Sequence, residues 1–232
     1  MKEESMASKN APKGGKDNFT RYLVIGVVVL VAGIMLVPTL LSKDKPVSQA
    51  IPAAVSADNG YAIEFNSELT DLPVVDIYED FQCPICQQFE ALNAKYINSL
   101  VAEKKAIVRF HTLSFLGPES VRAANGAACA NDENKFLDYH LGMYANLPAT
   151  ENSGAWTSER IIEIAAAAGI MSDSFESCVK DMKYEGWVSK VAEAGSKSGV
   201  NSTPTVFVNG KEIDRNSEYF NAEKFKAAVE RG

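Results

Sequence analysis

Val74-Val-Asp-Ile-Tyr-Glu-Asp-Phe-Gln-Cys-Pro-Ile-Cys-Gln-Gln-Phe-Glu90 carries two periods in one short stretch. Its first half, with Leu72 and Pro73 before it, is a β-branched and aromatic run that reads as a strand. From Pro84 the period changes. Ile85, Phe89, Leu92, Tyr96, Ile97, Leu100 and Val101 recur at spacings of three and four, as on an amphipathic helix reaching Lys104. Ala106 to Leu113 is a second β-branched run, so the unit is strand-helix-strand, and Tyr61 to Phe65 has the pattern of a short additional strand.

Downstream, Glu119 to Ala130, Lys135 to Ala145, Thr157 to Ala168 and Phe175 to Ser198 have helical patterns, interrupted by loops such as Asn146 to Trp156. Strand signals return at Thr205 to Val208 and Lys211 to Ile213. Between them lies Asn209-Gly210, a hairpin-turn pair because both positions tolerate positive φ. Ala222 to Arg231 closes the chain as a helix. Strands and one helix at each end, with helices alone between, define an α/β domain carrying an all-helical insertion.

Upstream, Tyr22 to Leu41 is a stretch of 20 residues without a charge. As a helix it would span about 30 Å, the thickness of a bilayer's hydrocarbon core. It runs into Ser42-Lys43-Asp44-Lys45, a poor cleavage site, which favours an uncleaved anchor over a signal peptide. Lys2, Lys9, Lys13, Lys16 and Arg21 precede it and only Lys43 and Lys45 follow closely. The positive-inside rule therefore keeps the N-terminus cytoplasmic and the remainder outside. Residues 42 to 57, with Pro46 and Pro52 and no sustained apolar period, read as a tether. The 232 residues bear 30 acidic against 23 basic side chains, a net charge of −7, which excludes nucleic acid held through its phosphates.

The chemistry sits where the first strand gives way to its helix. Cys83-Pro-Ile-Cys86 places the first sulfur at a helix start, where unpaired backbone N–H groups and the positive end of the helix dipole favour a thiolate. Pro84 suits the first turn because its missing N–H would have had no partner. Cys83 is the expected exposed nucleophile and Cys86, one turn on, the resolving thiol. Spacing alone leaves open a structural disulfide, zinc or a copper(I)-holding pair.

With Gly199-Val-Asn-Ser-Thr-Pro-Thr-Val-Phe-Val-Asn-Gly210 far downstream, the opening stretch resembles the DsbA-like thiol-disulfide oxidoreductases of bacterial cell envelopes. Hydropathy and charge make 1–21 a cytoplasmic tail, 22–41 an anchor and 42–57 a linker. The resemblance covers residues 58–232 and implies a thioredoxin fold over 58–116 and 199–232 with a helical insertion over 117–198. It implies that Cys83 attacks, that Cys86 is buried, that Pro204 is cis and packs on the disulfide, and that Thr203 pairs with an extended substrate, with Pro84 and Ile85 between the cysteines. It implies exported cysteine-containing substrates and a membrane redox partner for recycling, since no quinone or flavin motif is present and no cofactor is expected. The alternative of the same fold is an extracytoplasmic reductase or isomerase.

Two positions depart from the family's pattern. Ile85 stands where strongly oxidising members often carry histidine, which implies a weaker leaving thiolate and a lower reduction potential. Ile77 stands six residues before Cys83, where a buried acid commonly takes the second cysteine's proton. Asp76 would point to the other sheet face, leaving Glu79 or water as substitutes.

Cys129 and Cys178 fall in the helical middle, and in an exported domain two remaining thiols are expected to form a structural bridge. His111 on a strand and His140 on a helix read as packing or surface residues, so no metal site is expected. The glycosylation patterns at Asn201 and Asn18 read as accidents.

Overall fold

β-branched residues at alternate positions make Val74–Asp80 (β2) a central strand. It pairs parallel with Ile107–Leu113 (β3) and antiparallel with Thr205–Val208 (β4). These strands belong to a computed structural model that describes residues 46–53 and 55–232. Ile63–Phe65 (β1) and Lys211–Glu212 (β5) close the edges, giving the five-stranded order β1-β3-β2-β4-β5. The register sets Ile77 opposite Phe110 on one side and Val206 on the other. The Asn209-Gly210 turn has positive φ at both residues, 49° and 76°.

Pro84–Ala102 (α1) and Ala222–Arg231 (α7) pack together beside the sheet, where Phe89 meets Phe225 edge-on with ring centroids 5.2 Å apart. Between β3 and β4 run Pro118–Asp132 (α2), Phe136–Ala145 (α3), Ser158–Ala167 (α4), Asp173–Lys180 (α5) and Glu185–Lys197 (α6). The fold is a thioredoxin fold with a helical insertion. One continuous apolar core joins the two parts: Ile77, Phe89 and Phe110 belong to it together with Tyr139, Trp156 and Trp187.

The single helix expected from Phe175 to Ser198 is two. The chain breaks after Lys180, Met182 takes a φ of 50°, and α6 starts afresh at Glu185. The described part of the expected tether also lies on the domain. Ser48 Oγ donates to the Lys183 carbonyl at 2.6 Å, and Gly186 N–H in the first turn of α6 donates to the Ser48 carbonyl at 3.0 Å. Such a first-turn N–H has no acceptor within its own helix, and a glycine lets another backbone approach it. The expected tail over 1–21 and anchor over 22–41 lie outside the described residues. Among the described residues no helix is long and apolar enough to cross a membrane.

Candidate active site

β2 ends in a tight turn folded around one buried carboxyl. Asp80 Oδ1 accepts from Gln82 N–H at 2.9 Å and from Ser120 Oγ at 2.6 Å, Oδ2 accepts from Leu116 N–H at 3.0 Å, and the Asp80 carbonyl accepts from Cys83 N–H at 3.0 Å. The turn delivers Cys83 to the N-cap of α1 in an extended conformation, with Pro84 opening the helix. The capping acceptor is the sulfur itself: Cys86 N–H points at Cys83 Sγ at 3.4 Å. Both cysteines are free thiols.

The two thiols sit in opposite environments. A hydrogen bond from the Cys86 thiol, joined by contacts from Thr203 and the backbone N–H groups of Cys86 and Ile85, outweighs burial and brings Cys83 down to about 6. Cys86 is fully buried, and burial, reinforced by the Cys83 sulfur and the Glu79 carboxyl, pushes its thiol well up. The pair is therefore asymmetric, one sulfur favoured as an anion and the other as a thiol.

Cys83 is 7% exposed, not the open nucleophile of the sequence reading. The reason is the loop before β4. Thr203–Pro204 is a cis peptide, and the Thr203 carbonyl lies 3.7 Å from Cys83 Sγ. Ile85, by contrast, is 43% exposed, so the lip beside the sulfur is apolar.

Ile77 is fully buried and Asp76 faces the opposite side of the sheet, bonded to His111 Nε2 at 2.9 Å. Glu79, two residues after Ile77 and on its face, carries the buried acid instead. His140 of α3 lies between Glu79 and Glu90, its Nε2 3.0 Å from one and its Nδ1 3.7 Å from the other. All three are buried. Burial raises Glu79 to about 8, opposed by its hydrogen bond with Glu90 and reinforced by the Cys83 charge. Burial likewise raises Glu90 and lowers His140, so it disfavours the charged form of each member of the group. Their ligand atoms lie within 4.8 Å of one another, the spacing a metal would need. Because each ring nitrogen of His140 faces a different carboxyl, the arrangement is that of groups sharing protons.

Sequence reasoning passes over Glu90 and assigns His140 to packing or surface. The usable signal for Glu90 was its place one turn after Cys86, on the same helix face. For His140 no local signal existed, because it reaches Glu79 across 61 residues of chain. Gln82 was missed as well. Its Nε2 donates to Ser120 Oγ at 2.8 Å and its Oε1 accepts from Asn152 N–H at 2.7 Å, tying the cysteine turn to the helical insertion. Cys129 and Cys178, on α2 and α5, are joined at an S–S distance of 2.02 Å.

A dithiol capping the first helix of this sheet order, facing a proline loop, defines a thioredoxin-fold dithiol protein. A family model described as thioredoxin matches residues 71–231. The chain is similar to the thiol:disulfide interchange protein DsbA of Pectobacterium carotovorum subsp. carotovorum, 25% identical over 71% of this chain and 79% of that one. It superposes on MdbA, a thiol-disulfide oxidoreductase from Actinomyces oris, with a TM-score of 0.67 and 27% identity, covering 78% of this chain and 89% of that one. It also matches the Na(+)/H(+) antiporter NhaA 3 of Salinispora tropica, 26% identical over 66% of this chain, but spans only 22% of that protein's length. The chain belongs to the thioredoxin family, among its DsbA-like thiol-disulfide oxidoreductases.

Proposed function

We propose that the protein oxidises exported cysteine-containing proteins from an anchored position outside the cell membrane. Residues 22–41 span the bilayer once in this reading, with the N-terminus cytoplasmic and the catalytic domain extracytoplasmic. In its oxidised form, a substrate thiolate attacks Cys83 Sγ, the Cys83–Cys86 bond breaks, and Cys86 leaves. Glu79, protonated near pH 7, gives the leaving sulfur its proton. A second substrate thiolate then attacks the substrate sulfur of the mixed disulfide, and Cys83 leaves as a thiolate. The substrate gains a disulfide, and the enzyme holds both electrons as a dithiol until a membrane redox partner removes them.

The observation that carries this direction is the opposite displacement of the two thiols, Cys83 down to about 6 and Cys86 well up. A low-pKa thiolate is the better leaving group and stabilises the reduced enzyme, which favours passing the disulfide on. Thr203 and Pro204 offer backbone to an extended substrate segment, while Pro84 and the exposed Ile85 form the opposite lip.

Oxidative refolding of reduced ribonuclease tests the reading. The protein, pre-oxidised, should restore ribonuclease activity at a rate that Cys83→Ser abolishes. Catalysed insulin reduction without such refolding would reverse the direction to a reductase. Protease accessibility of the catalytic domain on intact spheroplasts checks the topology, and protection there would overturn it.

A further inference from the structure

The connection between β5 and α7 sends one cation beneath the loop that covers Cys83. Arg215 Nη2 donates to Ser202 Oγ at 2.9 Å, to the Pro204 carbonyl, and to Thr205 Oγ1 at 3.3 Å. Thr205 Oγ1 donates in turn to the Ser202 carbonyl at 2.8 Å. The guanidinium lies 5.9 Å from the centre of the Tyr219 ring, and Tyr219 OH accepts from Val206 N–H at 2.6 Å. Residues 202, 204, 205 and 206 are thus held from one side by Arg215 and Tyr219. Thr203, among them, presents its carbonyl to the sulfur.

The choice of partners is informative. Glu212, Asp214 and Glu218 are close in sequence, yet among the described residues no ion pair to Arg215 is formed, while Glu218 pairs with Arg231 at 2.9 Å. Arg215 directs its charge to neutral oxygens of the loop instead. All three acceptors meet one nitrogen, Nη2, which the planar guanidinium holds in a fixed direction, whereas an ammonium on a flexible stem does not fix its donors in this way. Arg215 is not among the largest influences on the Cys83 thiol.

We propose that Arg215 is the positioning residue of the substrate loop: it sets the backbone of Thr203 against which an extended, reduced cysteine-containing segment pairs, and acts on recognition rather than on the sulfur. The proposal rests on the oxidoreductase reading above. Without the guanidinium, Ser202, Pro204 and Thr205 lose the Nη2 donor whose two hydrogens they share, and the pairing edge must be ordered by the substrate at each encounter. That cost falls on binding.

The test uses the full chain in detergent and a peptide with a single cysteine. Arg215→Met keeps an apolar stem over Tyr219 and removes the donors. It should raise KM about tenfold, the loss expected for charged hydrogen bonds. The Cys83 thiolate midpoint and the reduction potential should shift far less than the KM, because Thr203 is only one of several contacts on the sulfur. Arg215→Lys should fall between. Ser202→Ala with Thr205→Val, which leaves Arg215 in place, should reproduce part of the rise and add little to Arg215→Met. Should Arg215→Met unfold, that double variant supplies the same readout. An unchanged KM in either variant, or a KM rise matched by an equal shift in the thiolate midpoint, overturns the proposal. Failure of the unaltered protein to exchange with any peptide would instead overturn the oxidoreductase reading.

Discussion

The molecule holds two pairs of cysteines on the same scaffold, and they do opposite things. Cys129 and Cys178 come from α2 and α5, 49 residues apart in sequence, and are bonded beside packed apolar residues of the helical insertion. Cys83 and Cys86 lie three residues apart at a helix start, unbonded, with one sulfur bound by N–H donors and the other fully buried near the Glu79 carboxyl. Burial alone does not separate them, since all four are buried. What differs is the neighbourhood: helix-start amides, a facing carbonyl and a buried carboxyl surround the Cys83–Cys86 pair. Chemistry follows those neighbours rather than the thiol itself.

Exchanging one atom should break the contrast most sharply. Cys86→Ser should trap mixed disulfides between Cys83 and client proteins and stop turnover, a loss of several orders of magnitude; Cys83→Ser should trap none. Non-reducing gels before and after reductant decide it, and trapping by Cys83→Ser instead would exchange the two roles. The other pair should behave as a staple. Replacing Cys129 and Cys178 together by Ala should cost up to about 4 kcal/mol in the chain-entropy account of a loop this long. Denaturant midpoints measure that loss. The Cys83 thiolate midpoint, read by ultraviolet absorbance, should not move.

How much of this was readable before the fold differs by the range of the interaction involved. The strand-to-helix switch at Cys83 and the Asn209-Gly210 turn are local, so periodicity and turn chemistry sufficed for them. The break at Met182 escaped because apolar spacing continues across it through Phe175, Val179, Trp187 and Val188 while the backbone does not. The sequence reads Cys83 as open because the loop that covers it lies 120 residues away, as the Thr203 contact shows. The same holds for His140, which local pattern assigns to packing and which the fold sets between two carboxyls. Glu79 was half legible: strand alternation puts it on the face of Ile77, but only the packed helices bury it.

A smaller effect should come from that acid. Glu79→Gln keeps the shape and the hydrogen bonds of a protonated carboxyl and removes its proton, so exchange should slow about a hundredfold near pH 7. The alkaline limb of the rate profile near pH 8 should disappear with it. Stability carries the same signature. Because the folded value, about 8, lies above the ordinary 4.5, the folded state holds the extra proton between those limits. The Glu79 contribution is therefore complete below about pH 4.5 and is lost as pH rises through about 8. His140, lowered by burial, works in the opposite sense below its ordinary 6.5. Comparing the pH dependence of unfolding in the parent and Glu79→Gln isolates the first term. Parallel curves would remove Glu79 from the mechanism.

The smallest change concerns the residue between Pro84 and Cys86. Ile85 contributes its backbone N–H to the Cys83 sulfur and no side-chain charge, so the thiolate near pH 6 is stabilised by hydrogen bonds and no basic group. Ile85→His would add a cation beside the sulfur whenever the imidazole is protonated. At a position 43% exposed the attraction is screened, so the thiolate midpoint should fall by about one unit rather than the three seen for desolvated pairs. A more stable thiolate stabilises the reduced enzyme, so the potential should rise by at most about 30 mV. The sign with pH separates this from a packing effect: the gain should be present near pH 6 and fade as the imidazole loses its proton. A potential shifted equally at pH 6 and pH 9 would mean the substitution had altered the geometry of the turn, and that the isoleucine is retained for shape rather than for leaving the sulfur without a cation.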